Sequence, residues 1–323
     1  MTGKIMRSLS LPLVLLCFLS HVVVAHSQVN RRAAMDYLNR GTKELEAGDL
    51  DGALADFNRA IELDHNYSAA YFSRGLVRRR QADYDGAISD FTKAIALNPI
   101  AEAYLDRGAA RKDKGDRDGA IADYTKAIEL NDKYADAYYN RGIALDDKDE
   151  HDRAISDFTR SIELSPQQAK AFVGRGYARM RKGDPDAALI DYTKAIELNP
   201  RSFLAFYNRA FARKQRGDLD GAIADFTRAV EIDEKDADAF YERGILHGAR
   251  GDLDDATSDF TKTIELNPQN AKAYANRGMI MLLRGQDAAA QKEFDTALKL
   301  DDTLNPDLQN RINQIVKGRK PKP

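Results

Sequence analysis

Eight times along this chain an aromatic residue is followed three positions later by Arg and then by a small residue, at a spacing of 34 residues broken once to 33. The runs are Tyr37-Arg40-Gly41, Tyr71-Arg74-Gly75, Tyr104-Arg107-Gly108, Tyr138-Arg141-Gly142, Phe172-Arg175-Gly176, Phe206-Arg209-Ala210, Phe240-Arg243-Gly244 and Tyr274-Arg277-Gly278. Each precedes a stretch such as GDLDGAIADFTRAVEI. A fixed period in this range marks stacked units, none of which buries its apolar face alone. Such a chain presents a long surface rather than one deep pocket, which points to binding.

A single copy shows how the unit folds. Leu204 to Arg216 carries good helix formers and no Pro, and Gly217 stands where a helix end favours positive φ. Asp220 lies just before an apolar-periodic run and is read as the N-cap of a second helix. Ala222, Phe226, Ala229 and Val230 fall on one face of that helix. In other copies Asn98-Pro99, Ser165-Pro166, Asn199-Pro200 and Asn267-Pro268 end it, because Pro cannot continue a helix. Each unit is therefore expected to be a helical hairpin, and the chain all-α. Twelve residues beyond the small residue every copy has Ala, from Ala53 to Ala290, so small residues let the two helices approach closely.

These residues resemble the tetratricopeptide repeat family. In the second copy the family pattern is met by Tyr71, Gly75, Ala87, Phe91, Ala94 and Pro99. The resemblance covers 34–304 as eight repeats: 34–67, 68–100, 101–134, 135–168, 169–202, 203–236, 237–270 and 271–304. It implies an α-solenoid forming a right-handed superhelix, the first helix of each hairpin (helix A) lining a concave groove and the second (helix B) the convex side. Residues 305–323 are then a capping helix and a basic tail, and 28–33 a short N-terminal segment. No Gly/Ser- or Pro-rich linker interrupts the repeats, so no domain boundary is placed inside them.

The chain departs from the family at two positions. Where the family has Leu before the small residue and often Tyr in mid-helix B, every copy here has Arg and an acid sixteen residues apart. The pairs are Arg40/Asp56, Arg74/Asp90, Arg107/Asp123, Arg141/Asp157, Arg175/Asp191, Arg209/Asp225, Arg243/Asp259 and Arg277/Glu293. Two replacements that always occur together point to a planar guanidinium–carboxylate contact inside each hairpin, a structural ladder rather than an anion site.

The family's carboxylate clamp needs Lys and Asn one turn apart on helix A, and the corresponding positions lack them, which disfavours chaperone C-terminal tails as ligands. In repeats 4 to 7 those positions read Tyr139/Ile143, Val173/Tyr177, Tyr207/Phe211 and Tyr241/Ile245, an apolar, Tyr-rich stripe suited to a protein or peptide. Repeats 2 and 3 carry Arg78, Arg79, Arg80, Arg111 and Lys112 and are read as a basic inner edge.

The first residues follow another logic. Lys4 and Arg7 precede an apolar run and a small-residue exit, the three parts of a secretory signal, with cleavage after Ala25 or Ser27. Residues 1–27 are thus expected to be a signal peptide and the protein periplasmic or secreted. An uncleaved membrane anchor stays open, although Pro12, Ser20 and His21 make Leu9–Ala25 marginal for spanning a bilayer. Cys17 is the sole cysteine, so the processed chain has no disulfide, thiolate metal site or thiol nucleophile. With 49 basic against 51 acidic residues before Lys4 and Arg7 are lost, nucleic acid is disfavoured as a partner. His65, His151 and His247 occupy unrelated repeat positions, and GDxDG lacks the later Glu of a calcium loop. No cofactor, metal, small-molecule substrate or enzymatic activity is expected. Two readings remain: an exported adaptor, or a self-associating subunit of an envelope or secretion assembly.

Overall fold

A computed structural model describes residues 11–318, with side chains from residue 29 onward. The basic start of the expected signal and the last five residues of the basic tail lie outside the described residues. Everything described is helix and turn, without a strand. By packing, the chain divides into two compact units, residues 1–149 and 150–323, each treated by itself below. The uninterrupted repeat pattern does not announce that division.

The first unit holds α1 (Leu11–Ala47), α2 (Leu50–Leu63), α3 (Ser68–Arg80), α4 (Tyr84–Leu97), α5 (Ala101–Lys114), α6 (Arg117–Leu130) and α7 (Ala135–Asp146). Helix α1 runs without a break through 28–33 into the first repeat, because no Gly or Pro lies between Gln28 and Arg40. The second unit holds α8 (His151–Leu164), α9 (Ala169–Lys182), α10 (Pro185–Leu198), α11 (Phe203–Gln215), α12 (Leu219–Ile232), α13 (Ala237–Arg250), α14 (Leu253–Leu266), α15 (Ala271–Leu283) and α16 (Asp287–Leu300). A 3₁₀ turn over Asp302–Leu304 leads into α17 (Asn305–Gly318). Leu308, Ile312 and Ile315 of α17 pack on the layer formed by Met279, Leu282 and Phe294, and so cover the end of the stack.

Six hairpins close around the approach of a helix A glycine to a helix B ring. A Cβ added to Gly75 would meet the Phe91 ring at 2.8 Å, and one added to Gly108 or Gly176 would meet Tyr124 or Tyr192 at 2.7 Å. The missing side chain leaves room for the helix B aromatic against helix A. Those rings are wholly buried, as are Phe57, Phe158 and Phe226. The alanines at 53, 87, 120 and their equivalents are fully buried too.

The turn between the two helices differs from the sequence reading. The cap of α12 is Asp218, not Asp220: Asp218 accepts from the Gly221 N–H at 2.9 Å and the helix begins at Leu219. The GDxDG stretch offers two aspartates, and positive φ at Gly217 places the first one in capping position. Asp49, Asp83, Asp116 and Asp184 cap their helices in the same way. Asp218 N–H also returns to the Arg213 carbonyl at 3.0 Å, closing the end of α11. Six glycines supply the positive φ of this turn, but repeat 2 uses Ala82 at φ 59° and repeat 4 uses Asp149 at φ 61°. A side chain there is strained. Ala82→Gly is expected to stabilise the folded chain by about 1 kcal/mol, read as a raised denaturation midpoint, whereas Gly217→Ala is expected to lower it by a similar amount.

Candidate functional site

The arginines carried on the helix A elements organise both the hairpins and their stacking. Arg74 donates through Nε and Nη2 to the two oxygens of Asp90 at 2.9 and 2.6 Å. The same forked bond joins Arg107 to Asp123, Arg209 to Asp225 and Arg243 to Asp259. Arg40–Asp56, Arg175–Asp191 and Arg277–Glu293 are also bonded. Arg141 and Asp157 fall on either side of the division between the units. The carboxylates are deeply placed: Asp90, Asp123 and Asp225 are 2% exposed.

From Arg74 onward the third nitrogen of these arginines leaves its hairpin. Arg107 Nη1 donates to the Thr92 hydroxyl of the preceding helix B at 3.1 Å, and Arg141 does the same to Thr125. In the second unit Arg175, Arg209, Arg243 and Arg277 reach Thr159, Thr193, Thr227 and Thr261. Arg74 reaches Asn58. Thr92, Thr125, Thr159, Thr227 and Thr261 donate their hydroxyls to the carbonyl four residues back, Thr92 to Ile88 at 2.7 Å, which turns their lone pairs toward the guanidinium. Each guanidinium also stacks on the aromatic three residues earlier, for example Arg40 on Tyr37 at 4.9 Å and Arg74 on Tyr71 at 5.5 Å.

Two features escaped the sequence reading. In four hairpins a second arginine, one turn after the first, grips the same acid: Arg78 on Asp90, Arg111 on Asp123, Arg179 on Asp191 and Arg213 on Asp225, at 2.8–2.9 Å. The other repeats have Glu44, Leu145, His247 and Met281 at this place. Exposed pairs also link the end of one helix A to the start of the preceding helix B: Lys114–Asp85, Lys148–Asp118, Lys182–Asp152, Arg250–Asp220 and Arg284–Asp254. Asp220 thus serves stacking rather than capping.

The basic inner edge expected for repeats 2 and 3 is not a free positive surface. Arg78 and Arg111 are turned into their hairpins, Arg79 is paired with Asp113 and Asp106, and Arg80 donates to the Leu45 carbonyl. The surroundings of Arg79 hold more acid than base. Burial pushes the Asp106 carboxyl up to about 6, against the lowering effect of Arg79 and with Glu102 adding to the rise.

The aromatic stripe is half surface and half core. In the second unit Tyr207 lies edge-on to Phe226 at 5.6 Å and Phe211 does so at 5.4 Å, with 5.1 Å between Tyr207 and Phe211. Tyr241 packs on Phe260 at 5.8 Å and accepts a hydrogen bond from Asn276 at 3.1 Å. Ile245 supports the same layer, and Val173 joins the layers around Ala205 and Tyr192. Tyr177 is 44% exposed, the most open member of the stripe. In the first unit Tyr139 and Ile143 are half-buried on α7. Burial pushes the Tyr207 phenol up to about 12 and raises those of Tyr139 and Tyr241, so these hydroxyls stay protonated at neutral pH and can both donate and accept. Beside Tyr241, an open hollow is lined by Lys272, Asn276, Leu304, Asp307, Leu308 and Arg311.

Paired helices, a glycine-to-ring contact and a closing helix now stand beside the period. Models described as "TPR repeat" match residues 41–81, 108–149 and 212–251, and models described as "Tetratricopeptide repeat" match 68–100, 135–168, 169–202, 191–224 and 260–292. The chain belongs to the tetratricopeptide repeat family. Among solved tetratricopeptide structures, one from Parabacteroides merdae has a TM-score of 0.59 at 20% identity, covering 77% of this chain and 99% of that chain. The MamA protein is 30% identical over 52% of this chain and 93% of its own, with a TM-score of 0.48. YrrB, described as a TPR protein with an unusual peptide-binding site, is 27% identical over 55% of this chain and 92% of its own, with a TM-score of 0.47. No curated protein matches the chain. Among the described residues no helix is long and apolar enough to cross a membrane.

The two kinds of hairpin within this tetratricopeptide array give a direct comparison. Arg243→Leu leaves Asp259 without an arginine and is expected to cost about 3–5 kcal/mol in stability. Arg209→Leu leaves Arg213 on Asp225 and is expected to cost clearly less. Equal losses in denaturant melts would show that the second arginine does not hold the acid.

Proposed function

We propose that this chain is a non-enzymatic scaffold that binds an extended protein segment on the helix A face of its second unit. The observation that carries this reading is the state of the stripe there. Tyr177 is open to solvent while Tyr207, Phe211 and Tyr241 are anchored from behind by Phe226 and Phe260. Rings fixed by packing lose little further entropy when a ligand covers them, and their hydroxyls remain able to bond it. The hollow beside Tyr241 offers a terminus for such a segment, with Lys272 and Arg311 balanced by Asp307. Membership of a family used widely for protein interaction supports the same reading.

The residues that bind also hold the layers together, which decides the test. Replacing Phe211 or Tyr241 would loosen the core, so Tyr177 is the informative position. Panning a random peptide library against the full chain is expected to yield a consensus with apolar anchors. The affinity of the selected peptide is expected to fall roughly tenfold in Tyr177→Ser, about the loss of one well-placed aromatic contact, while the melting temperature stays unchanged. Absence of any consensus, or an affinity indifferent to Tyr177, would remove the stripe as the binding face.

Export belongs to the same proposal and rests on the composition of residues 1–27. The mature chain is expected to begin at His26 or Gln28 and to be recovered outside the cytoplasm. N-terminal sequencing of native protein is the check; Met1 or Thr2 from a soluble cytosolic fraction would overturn it.

A further inference from the structure

Repeat 7 departs from its neighbours at two positions that meet in space. Where Arg78, Arg111, Arg179 and Arg213 stand in other hairpins it has His247, and where Gly52, Gly86, Gly119 and Gly221 stand it has Asp255. His247 is 8% exposed, near the end of α13. Its Nδ1 is 3.6 Å from Asp252 Oδ2 and 3.9 Å from Asp255 Oδ2, and it has no hydrogen-bond partner. Its Nε2 faces Asp259 Oδ2 at 3.9 Å. Asp252 also breaks the pattern: it occupies the N-cap of α14 but makes no capping bond, and its carboxylate is instead turned toward His247 and Arg250.

A cation is the natural complement of this arrangement. In the tautomer whose proton sits on Nε2, the side facing Asp259, the Nδ1 lone pair faces two carboxylates, and all three are acceptors. The histidine nitrogen and one oxygen from each aspartate lie within 4.8 Å of one another. We propose that His247, Asp252 and Asp255 bind a divalent transition-metal ion of the zinc type. Zinc takes His nitrogen at about 2.0–2.1 Å and carboxylate oxygen at about 2.0–2.2 Å in a tetrahedron, so the three donors must draw together from their present spacing of up to 4.8 Å, which rotation of the Asp252 and Asp255 side chains supplies. Imidazole among so few oxygens suits zinc better than calcium or magnesium. The Asp255 side chain is 68% exposed, which gives the ion a way in and leaves the fourth position to water. Asp259, itself held by Arg243, faces the ring from behind at 3.9 Å, and Arg250 can stay on Asp252 as its outer partner.

The test uses zinc chloride alone, titrated calorimetrically into the full chain near neutral pH, with thermal melts in parallel. The wild type is expected to take up one ion per chain and to melt higher with zinc present. His247→Arg installs the residue that four other hairpins carry at this place; it is expected to melt at least as high without zinc and to lose both zinc responses. Asp255→Asn, at an exposed position, is expected to weaken binding by roughly tenfold or more. Failure to saturate overturns the proposal. So does uptake that survives His247→Arg, since the ion then sits elsewhere, for instance on His65 or His151. A melting temperature that follows pH through His247 but ignores zinc overturns it as well, the occupant then being a proton.

Discussion

A carboxylate shut away from solvent, buried where it is Asp and half-buried at Glu293, stands in the described hairpins, and the rest of the structure is arranged around keeping it satisfied. An isolated buried charge is intolerable, and loss of one partner from a buried pair costs about 3–5 kcal/mol. Arginine answers this with a planar fork whose remaining donors are free to work elsewhere. Arg107 shows the full use: two nitrogens on Asp123, a third on Thr92 of the preceding hairpin, and its flat face on Tyr104. Closing a hairpin and stacking it on its predecessor therefore depend on one side chain. A leucine at this position, as in the common family pattern, would fill space but could not tie three elements together.

The apolar layers answer to the same geometry. Gly75 brings the Phe91 ring against helix A, and the neighbouring Asp90 is thereby carried to within reach of Arg74. Close packing and ion pairing are not separate contributions here. The ring contact sets the helix separation at which a forked bond can form, and the fork fixes the rotation at which the ring fits.

Much of this was legible from the chain itself. The period, the glycine and alanine positions and the 16-residue offset between Arg and acid identify the hairpin, because those positions repeat in every copy. What escaped notice repeats incompletely or sits in ambiguous surroundings. Arg78, Arg111, Arg179 and Arg213 share their place with Glu44, Leu145, His247 and Met281, so they read as a variable helical surface. Asp218 and Asp220 both precede the same apolar run, and only the turn at Gly217 tells which one caps. For the stripe, sequence names Tyr207, Phe211 and Tyr241 as surface, but whether a ring leans inward depends on the distance to Phe226 or Phe260, which no single repeat encodes.

The bond from Arg to the preceding Thr has a consequence for how such a chain can change. Arg107, Arg175, Arg209, Arg243 and Arg277 present the same donor, and Thr92, Thr159, Thr193, Thr227 and Thr261 the same acceptor. The leading side of one hairpin is therefore a fitting mate for the trailing side of another, whichever two are brought together. Copy number becomes an adjustable quantity: excising or duplicating a whole unit rejoins equivalent surfaces, whereas cutting by any other length takes donors, acceptors and rings out of register. Length is free to drift in whole-repeat steps, and a departure confined to one copy, such as His247 with Asp255, travels with that copy as a transferable module.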